Sequence, residues 1–226
     1  MAKRRTSGIQ RRERASADAL NRRLDEGSGS ALPDWRLLAI GGVLLAGVLV
    51  IVLVLLMGSG ANPNAGVAQA DDGAAHIGDG LSCRDDPAAC GASGSPYSSL
   101  PATSGPHWGT PTNWGVYTTP ANESQLIHNL EHGGIVIWYD PSLDAASVDT
   151  LVRYVETQTA SGVSGRYKFI LTPWGGADPL PAPVVATAWR YLLQLESADT
   201  DAIGEFARAR YGRSPEPNGG PGPPGG

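Results

Sequence analysis

Residues 37–57 (LLAIGGVLLAGVLVIVLVLLM) are a run of 21 residues without a charge, and this run divides the chain. At a helical rise of about 1.5 Å per residue it reaches across a hydrocarbon layer of about 30 Å, so the sequence predicts one transmembrane helix. No face of it is polar, as a buried core helix of a soluble domain would normally allow. The 36 residues before it carry nine Lys or Arg against five acids, while everything after it carries eight against seventeen. Positive charge stays inside, so residues 1–36 are expected in the cytoplasm and the remainder outside the cell membrane, with membrane lipid as the first partner. A cleaved signal peptide is the competing reading, since Ala68-Gln69-Ala70 resembles a cleavage site. Against it, the apolar run exceeds the about 7–15 residues of a signal h-region, and the basic segment before it is long.

The charge split also excludes a class of partner. Phosphate binding needs clustered Lys and Arg, and the acid-rich part after residue 57 offers none, so nucleic acid is not expected. Segments 1–36 and 214–226 hold too few apolar residues for a core and read as a basic disordered arm and a Pro/Gly tail. Residues 58–75 read as a linker, which leaves 76–213 as one extracytoplasmic globular domain. Cys83 and Cys90 are the only cysteines, and outside the cell they are expected to form a disulfide. A redox pair or thiolate metal site would more typically show a C-x-x-C spacing.

Within 76–213 the first third is dense in Gly and Pro and reads as loop and short extended pieces, with Trp108 and Trp114 as packing anchors. Asn122 with Gln125 three residues on has the pattern of a capping box, and Gly133 suits the position after a helix end, which predicts a helix over 123–132. Residues 135–139 (IVIWY) predict a central strand covered on both faces. A second helix follows from Pro141 and Asp144, with Leu143, Val148, Leu151, Val152 and Val155 on one face. Residues 167–172 predict another strand, and 184–196 and 199–211 two further helices. That order implies an α+β or α/β fold: a small sheet with helices packed on it and a loop-rich N-terminal half.

All four histidines lie outside the predicted span. His128 and His132 project from one helical face a turn apart, a spacing that lets two imidazoles share a metal ion. A closed site needs more ligands, for which His107 and His76 are the remaining histidines; zinc or copper suits imidazole. Residues 128–132 also match H-x-x-E-H, in which two histidines hold zinc and the glutamate, here Glu131, is the general base of a hydrolase. The third reading is a structural or protein-interaction module in which these side chains only fix turns.

The segments PATSGPHW (101–108), WGVY (114–117), HNLEHGGIVIWYDP (128–141), TAWRYLLQLE (187–196) and Pro215-Glu216-Pro217 together resemble the family called domain of unknown function 3105. The resemblance spans nearly all of 76–217, with a departure at PATSGPH, where the family more often has two consecutive prolines. It implies an exported domain behind one N-terminal span and leaves activity open. Because its motifs coincide with the histidines, it also implies a shared site for His76, His107, His128 and His132.

Overall fold

A computed structural model describes residues 62–160 and 166–223, within a compact unit, Ala61–Gly226. The arm 1–36 and the predicted span 37–57 lie outside the described residues. Among the described residues no helix is long and apolar enough to cross a membrane.

The fold is α+β. The strands are β1 (Val67–Ala68), β2 (His76–Ile77), β3 (His107–Trp108), β4 (Gly115–Val116), β5 (Ile135–Tyr139), β6 (Phe169–Pro173), β7 (Val184–Ala188) and β8 (Tyr191–Leu195). The helices are α1 (Glu123–Glu131), α2 (Ala145–Ala160) and α3 (Thr200–Arg210). Six strands form one mixed sheet in the order β1-β8-β7-β5-β6-β4, and β2 pairs with β3 in a separate parallel ladder. β5 is central: it runs parallel to β6 through the α2 crossover and antiparallel to β7. Its continuous apolarity follows from that position, since Ile135, Val136, Ile137 and Trp138 are all buried.

The pleat sends alternate residues to opposite faces. Ile135, Ile137, Phe169, Leu171, Val184 and Ala186 meet Leu151 and Val155 of α2 and Ile203 and Phe206 of α3. Val136, Trp138, Ile170, Val185 and Leu192 face the other way, against Leu126, Ile127 and Leu130 of α1 and the loop-borne Tyr97, Ala102 and Trp114.

Three expectations are corrected. The helix predicted over 184–196 is the β7–β8 hairpin, turned at Trp189 and Arg190, the latter at φ 61°. β7 is buried on both faces, and such a strand shows the same unbroken apolar run as a buried helix segment. The β-branched Val184, Val185 and Thr187 favour the extended form, and the Thr187 hydroxyl accepts the Trp138 indole N–H at 2.9 Å. The linker read over 58–75 is part of the fold from Asn62 onward. β1 adds an antiparallel edge to β8, Gln69 N–H donates to Arg190 O, and Arg210 Nε donates to Ala65 O at 2.7 Å.

The tail read from 214 onward is also packed, as far as residue 223. Its apolar side chains are all prolines, and it is held through its backbone. Lys168 Nζ donates to Pro217 O and Gly219 O at 2.8 and 2.9 Å, Glu216 N–H to Glu131 O at 3.1 Å, and Trp114 Nε1–H to Pro221 O at 2.9 Å.

Candidate metal centre

Each element of the site is placed by a local cause. Asn122 caps α1, its side chain accepting Gln125 N–H at 3.3 Å, and His132 ends the helix just before Gly133, which at φ 79° takes the left-handed conformation that stops it. Gly134 must also be glycine, because a Cβ there would strike the Trp114 ring and the Asn129 carbonyl. His128 and Glu131 are thereby held on a rigid, buried turn.

The loop-borne histidines are held by a different device. β2 and β3 pair in register His76 to His107, so the two imidazoles stand side by side with ring centroids 4.8 Å apart. The Cys83–Cys90 disulfide closes the loop that carries Arg84, and Arg84 grips Glu123 at the start of α1 through two hydrogen bonds, 2.6 and 2.9 Å. Tyr97 O–H donates to Pro106 O at 2.8 Å, and Trp108 Nε1–H to Leu81 O at 2.7 Å, which pins both neighbours of His107.

His76, His107, His128 and Glu131 each offer one ligand atom, and these atoms all lie within 4.8 Å of one another. His107 is fully buried, and the Glu131 side chain is 4% exposed. His107 Nε2 lies 3.1 Å and His76 Nε2 3.4 Å from Glu131 Oε2. For metal bonds of about 2.0–2.1 Å, the edge of a tetrahedron is about 3.3–3.4 Å, which the two edges ending on Glu131 match, while the other separations lie within 4.8 Å. His132 stands apart from this set. Its Nε2 is 2.7 Å from His128 Nε2, shorter than a tetrahedral edge, and its Nδ1 is 3.1 Å from Glu216 O. It is therefore a neighbour of the donor set rather than a fourth corner.

The hydrogen inventory shows what the cluster lacks. A carbonyl oxygen only accepts, so His107 Nδ1 at 2.8 Å from Gly105 O and His128 Nδ1 at 2.6 Å from Trp108 O must both carry N–H. In a neutral ring Nε2 is then a bare lone pair. His107 Nε2 faces a carboxylate oxygen, another acceptor, and that contact is favourable only with a cation between them. The row from Trp108 O through His128 and His132 to Glu216 O has three contacts, each needing a hydrogen, and two neutral imidazoles supply two. A proton would complete either row, and a metal ion would complete the first. Burial is the largest influence on His107 and His128 and pushes both below the ordinary imidazole value of 6.5, which disfavours the proton. Anchoring Nδ1 on a carbonyl while Nε2 points inward is also how proteins orient metal-binding histidines.

Glu131 sits in the donor set, where the H-x-x-E-H reading expects a base beside it. Two residues that sequence reasoning passed over complete the setting. Asn129 mimics a strand edge, its side chain accepting Thr112 N–H and donating to Thr112 O, and so ties the loop after β3 to α1. A buried amide between two histidines on an apolar helix face is the only trace of it in the sequence. Lys168 is buried and donates to His132 O at 2.9 Å as well as to the C-terminal segment, and desolvation holds its pKa below the usual lysine value. One lysine before an apolar strand carries no sequence signal of that role.

No curated protein and no solved structure matches the chain. The family described as "Protein of unknown function (DUF3105)" matches residues 90–221, a span that takes in His107, α1, the sheet from β4 to β8 and the packed C-terminal segment. That span is more than half of the chain, and the protein belongs to this family.

Proposed function

We propose that this protein is a single-pass, membrane-anchored extracytoplasmic domain that binds one transition-metal ion, zinc or copper, through His76, His107, His128 and Glu131. The observation that carries the reading is the convergence of acceptor atoms: the Nε2 lone pairs of His107 and His128, whose hydrogens are committed to carbonyls at Nδ1, and a carboxylate oxygen of Glu131 lie together inside the fold. Three imidazoles and one carboxylate suit a borderline ion such as zinc or copper, and calcium or magnesium would call for a set dominated by oxygen. Glu131 serves as a ligand here and not as the free base that a hydrolase of the H-x-x-E-H type needs. The anchored, outward-facing placement is supported by the uncharged run 37–57, the charge asymmetry about it and the Cys83–Cys90 disulfide.

Metal analysis of the full-length chain purified in detergent tests the binding. One equivalent of zinc or copper is expected, lost in Glu131→Gln and His128→Ala; a wild-type chain that retains no metal after exposure to either ion refutes it. Protease added to intact cells tests the placement, with cleavage of the domain expected and full protection contradicting it.

A further inference from the structure

Three of the four donors are built in, and one is not. His107 and His128 anchor Nδ1 on main-chain carbonyls, at 2.8 and 2.6 Å, and both rings are buried. Glu131 stands on the last turn of α1, its own carbonyl accepting Glu216 N–H. His76 differs in every respect. Its side chain is 50% exposed, and among the described residues its ring makes one hydrogen-bonding contact, Nε2 to Glu131 Oε2, the longer of the two edges at 3.4 Å, and otherwise stacks on the His128 ring at 4.9 Å. It comes from a two-residue strand between Gly73 at φ 88° and Gly80 at φ 93°, each with open space where a side chain would be. It also lies outside the span that matches the family, whereas the other three donors lie inside it.

A structural metal site encloses its ion with four fixed ligands, while a reactive or exchanging one keeps three and leaves the fourth position available. The contrast between His76 and its partners fits the second layout. We infer that His76 is an exchangeable cap on the fourth coordination position, and that this position takes a small monodentate nitrogen or oxygen donor from solvent when His76 withdraws. This rests on the metal reading above. Withdrawal needs only rotation of the His76 side chain while β2 stays paired with β3, since no carbonyl holds the ring and it otherwise rests against the rings of His107 and His128. Withdrawal of His107 or His128 would break an anchored hydrogen bond and empty a buried pocket. The three remaining donors keep the ion, so the centre is open without being lost.

The experiment is Co(II) loading of the full-length wild-type chain, His76→Ala, Glu131→Gln and His107→Ala, read by visible absorption with imidazole as the probe. His76 is half exposed, so its substitution leaves the core intact; Glu131→Gln keeps the shape of the side chain should His107→Ala fail to fold. The wild type is expected to give the intense bands of four-coordinate Co(II). His76→Ala is expected to keep one equivalent with an affinity lowered by no more than about 10- to 100-fold, as for loss of an outer-shell partner rather than of a fixed ligand. Its spectrum should shift, and millimolar imidazole should restore the wild-type bands. Glu131→Gln should lose more affinity than His76→Ala and gain nothing from imidazole. The inference is overturned if His76→Ala loses Co(II) as completely as Glu131→Gln, if its spectrum equals that of the wild type, or if imidazole leaves it unchanged. A wild-type chain that takes up no Co(II) would overturn the metal reading itself, a failure distinguishable from these three.

Discussion

The two faces of the central sheet are built from the same strands and do different work. One face is aliphatic and closed by two regular helices: α2 and α3 lay Leu151, Val155, Ile203 and Phe206 over Ile135, Ile137, Phe169 and Leu171. The other is aromatic and polar, closed by one short helix and a long irregular segment, and it buries Thr103, Ser104, His107, Asn129 and Glu131 beside Trp114, Trp138, Trp174 and Trp189. Apolar contact does most of the closing of the first. Closing the second requires partners for its buried polar side chains, such as Ser99 for Thr103, the backbone of Ala70 and Asp72 for Ser104, and Thr112 for Asn129. The difference teaches that the helix-covered face supplies stability and the loop-covered face a pre-shaped set of ligands.

That contrast can be broken by substitution. Phe206→Ala empties a fully buried position on the helix face and is expected to cost about 3–5 kcal/mol in equilibrium denaturation, with metal stoichiometry of the folded protein unchanged. Loss of metal from the still-folded variant would mean that the two faces are not separable. Lys168→Met removes the donor shared by His132 O, Pro217 O and Gly219 O. A cost of about 1–3 kcal/mol is expected, together with faster proteolysis within 214–223; an unchanged cleavage pattern would argue that the segment is held by something else.

Alkaline titration puts one tyrosine of each face on the same scale. Burial pushes the hydroxyls of Tyr97, on the site face, and Tyr154, on the helix face, from the ordinary 10.0 up to about 12. The folded protein therefore holds these protons where the unfolded chain has released them, so stability is intact below pH 10 and falls as pH rises from 10 toward 12. Each Tyr→Phe variant should lose part of that slope, measured by denaturation across the range, and a slope unchanged in both would count against the burial argument. The smallest effect gives the sharpest comparison. Asn122 caps α1 and Asp199 caps α3 in the same manner, so replacing either by Ala is expected to cost about 1 kcal/mol. Only Asn122→Ala, which loosens the helix bearing His128 and Glu131, is expected to weaken metal affinity. Equal weakening by Asp199→Ala would dissolve the distinction.

The same division governs how much could be read from sequence. Where a segment carries local signals, the reading matched the structure closely: the Asn122 cap, the Gly133 stop, the continuous run 135–139 and the stripe of Leu151 and Val155 are each decided by neighbours in the chain. The β7–β8 hairpin was illegible because double burial erases the alternation that marks a strand. The C-terminal segment was illegible for the opposite reason, since Pro and Gly show no core-forming pattern and its attachment uses main-chain carbonyls supplied to a distant lysine. In the site, the histidines were visible as residue types. Their division into two anchored donors, one exposed donor and His132 beside the set depends on contacts between segments far apart in sequence.

X-ray absorption of the zinc-loaded full-length chain tests the central claim most directly. The account predicts four nitrogen or oxygen neighbours at about 2.0–2.1 Å, with the outer-shell pattern of three imidazole rings. A shell of oxygen alone without imidazole scattering, or a chain that does not retain zinc through purification, would contradict it.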